Sequence, residues 1–214
     1  MPLNSSVILA VDTVSAQPAV ALDCQGSLHI RPLEMGRRQS ALLLKNVQTL
    51  LNEQGIGFHD ITHLATLTGP GSFTGIRVGL SFLKGIAIAT RIPLAGAQHF
   101  EILKQICPAS ETGVIILESG RDEKFIARVK NQEIVSTKNI TTDVYFSTGM
   151  IDSFLISDMN LTDAPQVVKV IPYIDKPVEL LVKYVKKDKN RFTSGGVAPY
   201  YVREADTTSP KNAF

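Results

Sequence analysis

Leu64-Ala65-Thr66-Leu67-Thr68-Gly69-Pro70-Gly71-Ser72-Phe73-Thr74-Gly75-Ile76-Arg77-Val78-Gly79 is the stretch on which the fold turns. The apolar run Leu64 to Leu67 reads as a strand. It passes through the loop Thr68 to Ser72 into a helix from about Phe73 to Thr90, and a second strand follows near Pro93 to Ala97. Strand, helix and strand in that order imply a parallel crossover, and so an α/β chain. Upstream, Val7 to Val11 ends at Asp12 and Thr13, and Ala19 to Asp23 and Leu28 to Leu33 follow as two more strands. Gln25-Gly26 is short enough to make those two a hairpin. Ser40 is placed to cap a helix whose apolar positions Leu43, Val47, Leu50 and Leu51 recur at helical spacing, with Gly55 placed to end it.

Downstream, a short helix is expected around His99 to Ile106. Strands follow at Val114 to Leu117, Lys124 to Val129 and Glu133 to Val135, the last two joined by Lys130-Asn131-Gln132. Val144 to Phe146, Phe154 to Ile156 and Val167 to Val170 read as further strands, and Val178 to Val185 as a helix. No internal repeat is visible, and the tail after Glu204 is polar and reads as frayed. The expected division is a first domain over 1–103 and a reduced second over 104–214, with the C-terminal tail packing back on the first.

The chain has 214 residues, 44% hydrophobic and 20% charged, the balance of an ordinary globular protein. Its longest candidate membrane span, Val78 to Ile92, is interrupted by Lys84 and Arg91 and is short for hydrocarbon, so it reads as a core helix. Met1 to Ser6 carries no positive charge ahead of an apolar run, so no secretory signal is expected and the cytoplasm is the expected location. Cys24 and Cys107 lack CxxC spacing and read as buried thiols, not as a zinc site or a disulfide. A net charge of +2 does not mark a nucleic-acid surface. Lys183, Lys186, Lys187, Lys189 and Arg191 form a local basic run, with a solvated helix end and an RNA contact as its two readings.

Several residues carry both a chemical and a bland reading. Asp12, followed by Thr13 and Ser15, is either a carboxylate for a phosphate and its magnesium or a turn former. Gly69, Gly71 and Ser72 lie in a loop entering a helix, which suits either a phosphate cradle or a tight turn. That loop lacks the lysine of a P-loop and the full GxGxxG pattern. The following helix spreads Gly75, Gly79, Ser81, Gly85, Ala87 and Ala89 around its circumference, while Arg77 and Lys84 share a narrow polar strip. It must be covered on more than one side, by a neighbouring helix or by a second chain. His59 and His63 have HxxxH spacing but no third ligand, and sit where a solvated loop is expected. No GxSxG elbow and no activated thiolate motif is present, so no catalytic set assembles.

Ile8-Leu9-Ala10-Val11-Asp12-Thr13, the Gln39-Ser40 helix start, the Gly69 to Gly79 run and Pro199-Tyr200-Tyr201-Val202-Arg203 together resemble the bacterial TsaB (YeaZ) family. The resemblance is strong over the first half and weak through the second domain. It implies an α/β actin-like ATPase fold of the sugar kinase, Hsp70 and actin class, with two domains and a reduced second one. It also implies a non-catalytic scaffold subunit of the bacterial complex that makes N6-threonylcarbamoyladenosine beside the anticodon of tRNAs reading codons that begin with A. The implied partners are a TsaD-type transferase as heterodimer and a TsaE-type ATPase. tRNA is reached only through the complex, no membrane is involved, and a homodimer is expected when the chain is alone. ATP and Mg are used by the complex, with no cofactor held firmly by this chain.

Carried over residue by residue, the resemblance puts the interface on Leu43, Val47 and Leu50 of the first helix and on Phe73, Ile76, Gly79, Phe82 and Leu83 of the second. The catalytic relative carries HxxxH after the strand that follows the glycine-loop helix. Here that stretch is His99-Phe100-Glu101-Ile102-Leu103, so an alkyl group replaces the second imidazole. Gln39 stands where many members have His, and Glu118 stands near their usual Asp. Ser194-Gly195-Gly196-Val197 has the composition of an adenosine-binding turn but reads as a terminal loop before Pro199. The competing function is a small ATP-dependent phosphotransferase or ATPase using Asp12 and the glycine loop.

Overall fold

The structure, a computed structural model, describes residues 6–34, 39–119, 123–141, 153–158, 169–173, 176–194 and 196–202. The strand expected at Val144 to Phe146, together with Val167, Arg203 and the tail after Glu204, lies outside the described residues. Alternating side chains on β1 (Ile8–Asp12) serve two cores: Ile8 and Ala10 face one, Leu9 and Val11 the other. β1 pairs antiparallel with β2 (Ala19–Cys24), and β2 pairs antiparallel with β3 (Ser27–Pro32) across the Gln25-Gly26 turn. β4 (His63–Gly69) then lies parallel to β1, and β5 (Leu94–Gln98) parallel to β4.

The second sheet is built from β6 (Thr112–Glu118), β7 (Lys124–Lys130), β8 (Glu133–Ile140), β9 (Phe154–Ser157) and β10 (Lys169–Pro172). Its spatial order, β10-β9-β6-β7-β8, is the first sheet's β3-β2-β1-β4-β5 read from the other edge, with the same parallel and antiparallel pairs. The chain therefore holds a duplicated topology that its sequence does not display. Equivalent strands such as Ile8–Asp12 and Thr112–Glu118 share only an apolar pattern.

Helix α1 (Gln39–Glu53) and helix α2 (Phe73–Thr90) cover the outer face of the first sheet through Leu43, Val47, Leu50, Leu51 and Leu83. Ser40 stands inside the first turn of α1 and not at its cap. α3 (His99–Leu103), continued by a 3-10 turn to Ile106, and α4 (Pro177–Lys186) fill the layer between the two sheets. α4 packs on β1, β2, β4 and β5. Thr193 then pairs with Leu94 on the edge of β5, and the amide of Tyr200 donates to the carbonyl of Thr68 (2.8 Å). Residues 193–194 and 196–202 thus form a strap that meets the amino end of β5 at Leu94 and the carboxyl end of β4 at Thr68. Two like mixed sheets with helices between and outside them form the α/β actin-like arrangement that the resemblance implies.

Candidate functional site

Between the two sheets opens a cleft of about 390 Å³, lined by Val14 to Ala16, by Gly71 to Thr74, by His99, and by Glu118, Ser119 and Asp158. Of the five residues read as phosphate-binding candidates, Gly71 and Ser72 reach it. Asp12 is fully buried and engaged by its own turn. Its Oδ1 accepts from the amides of Val14 (2.8 Å) and Ser15 (3.0 Å), and its Oδ2 accepts from the Ser15 hydroxyl (2.5 Å). Thr13 Oγ1 donates to the carbonyl of Gly75 (2.6 Å), and Gly69 lies against the carbonyl of Tyr200. Ser72 Oγ accepts from the amide of Gly75 (3.1 Å) and caps α2, while its own amide donates to Val14 (3.1 Å). The geometry of Asp12 and Thr13 is that of a turn built to hold the loop.

The wall facing the loop is acidic. The amide of Glu118 donates to Asp158 Oδ1 (2.9 Å), and burial, reinforced by the Glu118 charge, pushes the Asp158 carboxyl up to about 6. The Glu118 carboxylate itself pairs with Lys124 (3.0 Å). At the floor, His99 is held on both ring nitrogens. Nδ1 meets the carbonyl of Pro70 (3.1 Å) and so carries the proton, which leaves Nε2 to accept from the Tyr173 hydroxyl (2.9 Å). Burial lowers the imidazole pKa against the pull of the Asp12 charge and the Pro70 carbonyl. Burial also raises the Tyr173 phenol well above its ordinary value, and the Asp12 and Asp158 charges add to that rise. Leu103, four residues on, lies in the core. Tyr173 and Asp158 escape a sequence reading because their partners are distant, 74 residues away for Tyr173 and His99.

His59 and His63 do not share a helix face. His59 sits in a 3-10 turn beside Asp60 (3.5 Å), and His63 opens β4 with its ring against Phe192 (4.4 Å between centroids). Cys24 and Cys107 are buried and unpaired, and burial pushes the Cys107 thiol up to about 12. The basic run largely holds α4 in place. Lys183 pairs with Glu179 (2.6 Å), Lys186 with Asp23 (2.7 Å), Lys187 donates to Gln105 (2.9 Å), and Arg191 stacks on Tyr184 (3.8 Å). The Lys189 side chain and Gly195 lie outside the described residues. Among the described residues, no three His, Cys, Asp or Glu side chains cluster as a metal site.

The second candidate feature is the outer surface of α2. By length and composition it is the one helix among the described residues able to cross a membrane, and 28% of it is buried. The expectation of a core helix is corrected: α2 is the crossover between paired strands β4 and β5 and is covered on one side only. Gly75, Ile76, Gly79, Leu80 and Leu83 face the sheet. A Cβ on Gly79 would stand 2.5 Å from Thr13 Oγ1 and 3.3 Å from Thr66 Oγ1. Of the residues to which the resemblance assigns the interface, Leu43, Val47, Leu50, Ile76, Gly79 and Leu83 are turned into the chain's own core. Phe73 reaches the surface and Phe82 is half-buried. The exposed stripe runs instead through Thr74, Arg77, Ser81, Gly85 and Ile88, the last 82% exposed, and Leu44 of α1 is exposed as well. A Cβ on Gly85 would meet nothing within 4 Å.

The model of the TsaD family, tRNA N6-adenosine threonylcarbamoyltransferase, matches residues 25–151. The chain is similar to the tRNA threonylcarbamoyladenosine biosynthesis protein TsaB of Escherichia coli (strain K12), 34% identical over 98 residues, which are 46% of this chain and 42% of that protein. It is also similar to the tRNA N6-adenosine threonylcarbamoyltransferase of Clostridioides difficile (strain 630), 46% identical over 55 residues, 26% of this chain and 16% of that one. The chain spans about half the length of the curated relatives it matches. A solved structure of YeaZ from Pseudomonas aeruginosa superposes with a TM-score of 0.67 at 19% identity, covering 92% of this chain and 99% of that one. At that identity the likeness is one of fold.

Proposed function

The chain belongs to the TsaD family of tRNA N6-adenosine threonylcarbamoyltransferases, on its TsaB (YeaZ) side, and from that premise we propose that it is a non-catalytic scaffold. It pairs with a TsaD-type transferase and holds it in an active arrangement while N6-threonylcarbamoyladenosine is made on tRNA. A TsaE-type ATPase joins the complex, which uses ATP and Mg, and the site of action is the cytoplasm.

The observation that carries this reading is Gly85. A glycine in a helix interior costs about 1 kcal/mol against alanine, and here no neighbour requires it. It sits in the exposed stripe with Ser81 one turn before it and Ile88 one turn after, a surface shaped for the close approach of another helix. Burial of such a face stabilises an association by about 25 cal/mol per Å² of apolar surface, before the cost of ordering.

Gly85→Arg tests it, because a Cβ at that position meets nothing within 4 Å. The variant should keep the melting temperature of the parent, fail to co-purify with the TsaD-type transferase, and fail to support threonylcarbamoylation of tRNA in a reconstituted reaction. Normal pairing and activation by the variant would overturn docking through α2.

A further inference from the structure

At the amino-terminal end of the exposed stripe three side chains form one stack. The guanidinium of Arg77 lies over the Phe73 ring, 4.1 Å from its centroid, and the Tyr201 ring packs against Phe73 at 5.1 Å. Phe73 and Tyr201 are 36% and 37% exposed, although each has a large apolar ring. The stack is rigid from below. Tyr201 belongs to the strap, and its neighbour Tyr200 is fixed by its amide on Thr68 (2.8 Å) and by its hydroxyl near Thr137 Oγ1 (3.4 Å). Tyr and Arg are enriched in binding hot spots, where they present large area and directed donors.

Charge tells what this cluster faces. Arg77 and Lys84 of α2 and Lys45 of α1 have no ion-pair partner among the described residues, whereas Lys183 and Lys186 of α4 are each bound to a carboxylate. α2 contains no Asp or Glu, and the single carboxylate of α1, Glu53, is bound to Arg31. Among the described residues, the exposed side chains of α1 and α2 thus combine apolar groups with positive charge that no carboxylate pairs. A second copy of the chain would bring like charges together, while a partner bearing carboxylates would neutralise them. A guanidinium stacked flat on a ring keeps its edge free for a bidentate carboxylate.

We infer that Phe73, Arg77 and Tyr201 are the anchor of the docking surface, that Arg77 takes an Asp or Glu of the TsaD-type partner, and that the strap is part of the interface. This rests on the docking reading above and adds the partner's chemistry and a surface that α1 and α2 do not contain.

The test is the affinity of the full chain for the TsaD-type transferase, measured against sodium chloride for the wild type, Arg77→Glu, Tyr201→Ala and Gly85→Arg, with thermal melts as the check on folding. Arg77→Glu should weaken binding by about tenfold or more at low salt and reverse the sign of the salt dependence, and Tyr201→Ala should weaken it at all salts. If both variants bind like the wild type while Gly85→Arg does not bind, the anchor is wrong and docking through α2 stands. If no variant changes binding, both fall. Self-association of the wild type as tight as its pairing, and abolished by Arg77→Glu, would make a second copy the occupant and overturn the inference.

Discussion

Helices α2 and α4 lie on opposite faces of the same sheet, and each combines an apolar body with lysine or arginine. In sequence the basic run of α4 reads as a solvated helix end or an RNA contact, and α2 reads as a core helix that also carries a partner surface. α4 is packed between the sheets by Val178, Leu181 and Val185, and its cations are largely spent on Glu179, Asp23 and Gln105. α2 buries a narrow strip and leaves Ile88, Gly85 and Arg77 outside. Composition tells what a helix could bury, and its place between layers decides what it does bury.

The sharpest way to break the contrast is truncation of one apolar side chain on each helix. Leu181→Ala should cost about 2–5 kcal/mol in denaturant unfolding, because Leu181 is wholly enclosed and its loss leaves a cavity. Ile88→Ala should stay within about 0.5 kcal/mol of the parent in the isolated chain. Equal losses at both sites would mean that α2 is covered after all.

A smaller effect separates the cations. Lys186→Ala leaves the carboxylate of Asp23, 7% exposed, without its partner, and should cost about 1–3 kcal/mol at pH 7. Arg77→Gln should leave stability unchanged. Thermal melts of the two variants side by side check this, and a loss at Arg77 would point to an internal role for it.

The smallest effect lies in the cleft. Asp158 holds its proton up to about 6 in the folded chain against an ordinary value of 3.8. The folded state therefore binds more protons than the unfolded one across that window, and stability falls as pH rises through it. Asp158→Asn should flatten the melting temperature over the same range and leave the curve outside it parallel to the parent. A constant offset between the two proteins at every pH would sink the assignment.

How much of this was legible depends on the distance over which each signal acts. The boundaries Phe73–Thr90, the Gln25-Gly26 hairpin and the β4-α2-β5 crossover come from turn chemistry and periodicity within a few residues. β8 ran further than its reading, to Ile140, because Ser136 to Asn139 pair with β7 on an edge that tolerates polar residues. The resemblance carried the family, but not which side chains of α1 and α2 are left outside. The small residues Gly75 and Gly79 were read as openings for a partner, yet their space is filled by Thr13 and Thr66. Gly85, identical in sequence terms, is the open one. Only the direction of the sheet beneath the helix separates them. Tyr173 and Asp158 were invisible for the same reason, since each acquires its role from a residue on another element.

The place of α4 also sets an order of events during synthesis. β1 and β2 leave the ribosome early, and the residues that cover their inner face, Leu181 and Val185, leave late. Ile8, Ala10 and Ala21 stay bare through the making of the entire second sheet. A ribosome paused between β10 and α4 therefore displays an open apolar sheet to every chaperone and every neighbouring chain.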